Sequence, residues 1–157
     1  MTDPADTGLP TGLPVTQALS AYVKLFRAGK AIVARLEPAA AEAGLTLTQL
    51  GVLEAILHKG PLTQRELGRK VLTSAGNMTD VIDKLTARGL VTRTRQPSDR
   101  RAVRVELTPA GHEVISTFFP IHARNIARAM GGLSEEELND LDRLLRKLGL
   151  AAGQEEE

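Results

Sequence analysis

The chain contains no cysteine, and only 3% of its 157 residues are aromatic. Without cysteine there is no disulfide, no thiolate nucleophile and no cysteine-based redox sensor. With so few aromatic rings, aliphatic side chains must do most of the packing. Long apolar runs are missing too. No run approaches a membrane span, and the start MTDPADTGLP has no charged segment followed by an apolar core. Both features argue against secretion and anchoring, so a cytoplasmic protein without a membrane partner is expected. There is no glycine-rich phosphate loop, and no Ser-His-Asp or paired-carboxylate constellation in a plausible context. His58, His112 and His122 lack metal-ligand spacing. An enzyme, a cofactor or a metal site is therefore not expected.

What is present is ordinary in amount and uneven in placement. Apolar residues make up 42% and charged residues 25%, and the length suits one domain with a real core. The net charge of +1 is uninformative alone. Between Arg88 and Arg104, however, six arginines (88, 93, 95, 100, 101 and 104) face the single Asp99. From Glu135 onward, eight acids stand against the three bases Arg143, Arg146 and Lys147. Such polarity points to one surface for an anionic partner and another end turned to solvent.

Along the chain, residues 1–14 hold three prolines and two glycines and read as a flexible tail. From about Val15 to Ala43, apolar residues recur at helical spacing, interrupted by Gly29 and Pro38, which predicts a bent or broken helix. Three helix starts share one grammar: Thr46 with Gln49, Thr63 with Glu66, and Ser134 with Glu137. Each forms a capping box bracketed by a pair of leucines placed as a hydrophobic staple. They predict helices from near Leu47, Gln64 and Glu135. The second is short, because TSAGN follows Leu72. The next helix, about Ser74 to Arg88, aligns Met78, Val81, Ile82 and Leu85 on one face and stops at Gly89. Two helices joined by a tight turn, the second amphipathic, describe a helix-turn-helix.

After Gly89 the period becomes two. Residues 90–95 and 102–107 alternate as strands around a QPSDRR tip, so a wing follows the helix-turn-helix. Thr108 and Pro109 open a further helix to about Met130, with a kink expected at Pro120, and a last helix runs from about Glu135 to Leu148. The fold class is mainly α with a small β-hairpin, in the order α-α-α-α-β-β-α-α. A single domain spans 15–150, with the winged helix-turn-helix at about 46–108 and helices at 15–43 and 109–150 flanking it. An acidic tail occupies 151–157.

The surface chemistry of the fourth helix suits DNA. Asn77, Thr79, Asp80, Asp83 and Lys84 lie on or near its open side, and asparagine and threonine can read base edges. Small Ala75 and Gly76 beside Ser74 would let the backbone approach closely, and a helix N-terminus favours phosphate. Thr63, Gln64 and Arg65 offer a similar start on the preceding helix. Asp80 and Asp83 either pair with Lys84 or Arg88, or accept from a cytosine amino group. On the wing, Arg100 and Arg101 at the tip suit a minor groove, whereas Arg93, Arg95 and Arg104 on the strands suit phosphates. Asp99 can favour neither, so its role is internal, holding an arginine or backbone amides. The apolar faces of the first helix, of FFPIHARNIARAM and of the last helix exceed what a compact winged helix buries, so a two-fold partner is expected.

LTLTQLGVLEAI, GPLTQRELGRKV, SAGNMTDVIDKLTARGLVTR, SDRRAVRVELTPAG and LSEEEL together resemble the multiple-antibiotic-resistance regulator (MarR) family of bacterial transcription factors. The resemblance covers about Leu19 to Gly149. It implies a winged-helix homodimer whose first and last two helices form the dimer interface and whose helix Ser74–Arg88 enters the major groove. In the wing it implies that Asp99 orients Arg101 into the minor groove. It also implies a pocket for a small phenolic or other anionic effector between dimer interface and DNA-binding lobe, where His122 lies, with Arg124 and Tyr22 as further candidates. The chain departs from the family at Asp80, where a basic residue is common. Lacking cysteine, it also cannot use the family's peroxide-sensing chemistry. The expected function is a sequence-specific, ligand-responsive repressor that binds a pseudo-palindromic double-stranded operator as a homodimer. The competing class is a winged helix used for protein contact, or a non-specific architectural DNA binder. The two tip arginines weigh against the first of these.

Overall fold

The computed structural model describes residues 14–71, 75–96 and 99–153, with the side chains of residues 75, 96, 99–102 and 153 outside the description. Six helices and three strands follow in the order α1 (Val15–Glu42), α2 (Leu47–Lys59), β1 (Leu62–Thr63), α3 (Gln64–Val71), α4 (Ala75–Ala87), β2 (Val91–Gln96), β3 (Asp99–Leu107), α5 (Pro109–Ala129) and α6 (Glu135–Gly153). The fold is a mostly helical winged helix-turn-helix, as the alternation of capped helices and period-two strands predicts.

Two differences from expectation have local causes. The hairpin is widened to a three-stranded antiparallel sheet of order β1-β3-β2, because Leu62 and Thr63 pair with Val105 and Arg104. Those residues sit just ahead of a helix start, and two paired residues leave no alternating pattern to read. In addition, α1 passes Gly29 and Pro38 without the break that is one of two expectations for it, and α5 likewise runs unbroken through Pro120. Both prolines are exposed, so the carbonyl that each leaves unbonded faces water and the helix persists.

The caps form as their spacing requires. Gln49 N–H donates to Thr46 Oγ1 at 3.1 Å while Gln49 Oε1 accepts from Thr46 N–H at 3.0 Å. Ser134 and Glu137 exchange the same pair of bonds at α6. At the end of α4, Gly89 adopts φ 69°, and Leu90 N–H and Gly89 N–H bond back to Leu85 and Thr86 carbonyls. That left-handed step turns the chain from helix into β2.

The core lies among α2, α3, α4, α5 and the inner face of the sheet. Leu50, Leu53, Leu67, Met78, Ile82, Leu85, Val91, Val105 and Ile115 are all fully buried there. The α4 stripe predicted from the sequence, Met78, Val81, Ile82 and Leu85, is thus part of this core. By contrast, α6 contributes no buried side chain among the described residues, and Leu144, Leu145, Leu148 and Leu150 are exposed. The first half of α1 likewise leaves Leu19, Tyr22 and Phe26 open.

Candidate nucleic-acid interface

The outer surface of the helix-turn-helix is assembled from the start of α3, the exposed side of α4 and the two long strands. At α3 the Glu66 carboxylate accepts from Thr63 N–H at 2.7 Å and from Thr63 Oγ1 at 2.8 Å. The Thr63 backbone bond, then its hydroxyl, hold the Glu66 carboxyl below the usual carboxylate range. Arg104 and Arg69 add to this, against a small opposing effect of desolvation. The polar atoms of Thr63 are therefore engaged in the cap. The Gln64 side chain donates to Thr79 Oγ1, which joins α3 to α4. Arg65 is exposed beside them.

On α4, Gly76, Asn77, Thr79, Asp80, Asp83 and Lys84 are all exposed, opposite the buried stripe. A side chain at Gly76 would meet open space, so this end of the helix is accessible to close approach. Asp80 pairs with Lys84 at 2.7 Å, one helical turn on, which resolves its partner in the free protein. Asp83 pairs across to Arg93 on β2. The register explains this contact: Arg93 stands opposite Val105 on the sheet face that packs on α4, beyond the reach of the apolar core. Ser74 lies outside the described residues, as does the side chain of Ala75.

Along the wing, Arg95 is exposed, whereas Arg104 turns inward and donates from Nη1 to the Pro61 carbonyl at 3.0 Å. Its Nε is closed off from solvent. Asp99, Arg100 and Arg101 begin β3, with Asp99 paired to Gln96 across the tip. Their side chains lie outside the described residues, so the aim of Arg101 stays an expectation. Arg88, at the far end of α4, donates to the Gly44 carbonyl between α1 and α2. Neither the Arg88 nor the Arg104 tie is visible in the sequence, because the partners are over forty residues away.

The three candidate effector residues have different surroundings. His122 is buried on α5 against Phe118, with ring centroids 6.0 Å apart, and its Nδ1 has no hydrogen-bond partner. Tyr22 stacks on Phe26 along the exposed half of α1, and Arg124 points to solvent. A groove of about 430 Å³ runs between α1 and the α5–α6 turn, lined by Ala28, Ile32, Arg35, Met130, Leu133 and Leu141. None of the three residues lines it. No cluster of metal-ligating side chains occurs among the described residues, and no single helix is long and apolar enough to cross a membrane.

Comparison with known proteins places this geometry. A family model described as MarR family matches residues 43–102, from the α1–α2 turn to the wing. An uncharacterised HTH-type transcriptional regulator, YkoM of Bacillus subtilis (strain 168), is 38% identical over 136 residues, covering 87% of this chain and 88% of its own. The HTH-type transcriptional regulator MhqR of the same strain is 33% identical over 138 residues, covering 88% and 95%. Among solved structures, BpsR of Bordetella bronchiseptica, described with regulation of its DNA binding by 6-hydroxynicotinic acid, superposes with a TM-score of 0.76. It shares 28% identity and covers 83% of this chain and 98% of its own.

Proposed function

The chain belongs to the MarR family of DNA-binding transcriptional regulators, and from that premise we propose that it is a homodimeric repressor released from a pseudo-palindromic operator by a small ligand. The observation that carries this reading is the exposed side of α4, Asn77 to Lys84, standing beside an arginine-rich wing. Asn77, Thr79, Asp80 and Lys84, with Ser74, Ala75 and Gly76 at the helix start, meet bases and the adjoining backbone. Thr63, Gln64 and Arg65 flank the same phosphates. Arg93, Arg95 and Arg104 belong to the wing strands, and Arg101, oriented by Asp99 and neighboured by Arg100, enters the minor groove.

Dimerisation is supported by the uncovered leucines of α6 and the open apolar half of α1, which a second copy would bury. The regulator then consists of residues 15–150, with a reading unit at about 46–108 and dimer helices at 15–43 and 109–150. Segments 1–14 and 151–157 flank it as a flexible tail and an acidic tail. A ligand is supported by the likeness to BpsR, a protein whose DNA binding is regulated by 6-hydroxynicotinic acid. The same chemistry, a small aromatic or otherwise anionic molecule, would seat near His122, with Tyr22 and Arg124 contributed as the dimer closes.

The test is a gel shift on DNA from upstream of the protein's own gene, with and without aromatic carboxylates, across salt concentrations. Discrete complexes released by ligand are expected. Arg101→Ala should weaken them and reduce the slope of log affinity against log salt by about 1. An unchanged slope defeats the minor-groove role. Binding of equal strength to every duplex favours the architectural alternative.

A further inference from the structure

Arg104 looks, in the sequence, like one more phosphate contact on a basic wing. Its surroundings describe something else. On β3 it stands directly opposite Thr63 of β1 and Thr94 of β2. Its Nη1 donates to the Pro61 carbonyl at 3.0 Å, while its Nε is shut away from solvent without a partner. An arginine serving a phosphate keeps its fork of donors in water until the anion arrives. Closing off an unsatisfied Nε is unfavourable, so the remaining contacts must hold the side chain inward. One of these is the pairing of β3 with β1, which sets Arg104 opposite Thr63, the residue that caps α3 by donating from its N–H and its hydroxyl to the Glu66 carboxylate. From that cap, Gln64 reaches Thr79 on α4. A continuous line of contacts thus runs from the wing strand through the α3 start to the recognition helix.

We infer that Arg104 is a positioning residue: it locks the base of the wing to the start of α3 and so sets the angle between the wing and α4. The inference rests on the reading that this face binds DNA. Base contacts from α4 and groove contacts from the wing tip must be made together, so a loosened angle costs discrimination and leaves the count of neutralised phosphates unchanged.

The experiment uses the full chain and a duplex that the wild type selects in vitro from a random library, beside a scrambled duplex of the same composition. Arg104→Ala is expected to lose roughly tenfold on the selected duplex, less on the scrambled one, and to keep the wild-type salt slope. Arg95→Ala, an exposed arginine on the same wing, is expected to weaken both duplexes alike and lower the slope by about 1. If Arg104→Ala behaves like Arg95→Ala, it is a phosphate contact and the inference is overturned. It is also overturned if only the melting temperature falls while the folded protein binds as before. Arg104→Lys keeps the charge and a donor. It is expected to show an intermediate loss of discrimination at the wild-type slope, and wild-type discrimination in that variant would count against positioning. In the free protein, Arg104→Ala should speed amide exchange at Thr63 and Glu66, and unchanged exchange overturns the inference without reference to DNA. A wild-type chain that selects no duplex contradicts the proposed function instead.

Discussion

At Gly111 a hydrogen atom stands where any other residue would place a carbon 1.8 Å from the Leu90 carbonyl oxygen. The start of α5 is docked there on the α4–β2 turn, with Thr108 N–H donating to Leu90 O and its hydroxyl to Gly89 O. Gly111→Ala must push the two backbones apart, at a cost of roughly 3 kcal/mol. Urea unfolding will read it, and an unshifted midpoint would mean that α5 does not approach so closely. Glu66 is the second single residue with a measurable signature. Its carboxyl is lowered in the folded state from an ordinary value of 4.5, so its contribution is present above that value and lost as pH falls through the folded one. The stability advantage of the wild type over Glu66→Gln should therefore be full near neutral pH and shrink as the pH falls below 4.5. A difference constant across that range contradicts the capping role. Glu66 and Thr63 were legible as a box three residues apart; Gly111 was not, because what it meets lies across a turn and a whole strand pair.

At the scale of elements, α4 combines a buried stripe with an exposed polar side. Its exposed Asp80–Lys84 pair adds little stability, about 0.3–0.5 kcal/mol for such a spacing. On the proposed function its effect falls on recognition, since a lysine held by an aspartate would meet DNA with its charge partly answered. Asn77→Ala and Lys84→Ala are each expected to change which bases are preferred, by about 1–3 kcal/mol at the affected position. Selection from a random library would show it, and identical selected motifs would remove α4 from base reading. The helices themselves were readable because caps and apolar periods are local, written within four to seven residues. The strand β1 was not. Two residues carry no period, and they become a strand only because β3 presents an open edge to them.

For the molecule as a whole, the decisive feature is surface left uncovered. Leu148 is 54% exposed and Leu144 52% exposed on α6, a helix that packs no side chain fully into the core. Leu144→Glu with Leu148→Glu should give a monomer by sedimentation velocity, with operator affinity falling because two half-sites are no longer engaged together. A variant that sediments as a dimer would place the interface elsewhere.

The amino-acid sequence by itself determined the helix starts, the buried stripe of α4, the hairpin and its charge. Each of these rests on contacts between near neighbours, where spacing alone dictates which groups can meet. The tertiary structure decided the rest. Arg93 answers Asp83, Arg88 reaches the Gly44 carbonyl, and Arg104 folds back onto Pro61. A long flexible side chain can serve a phosphate or a distant backbone carbonyl equally well. Only the packing of β3 against β1, 43 residues apart in the case of Arg104 and Pro61, brings the second partner within reach.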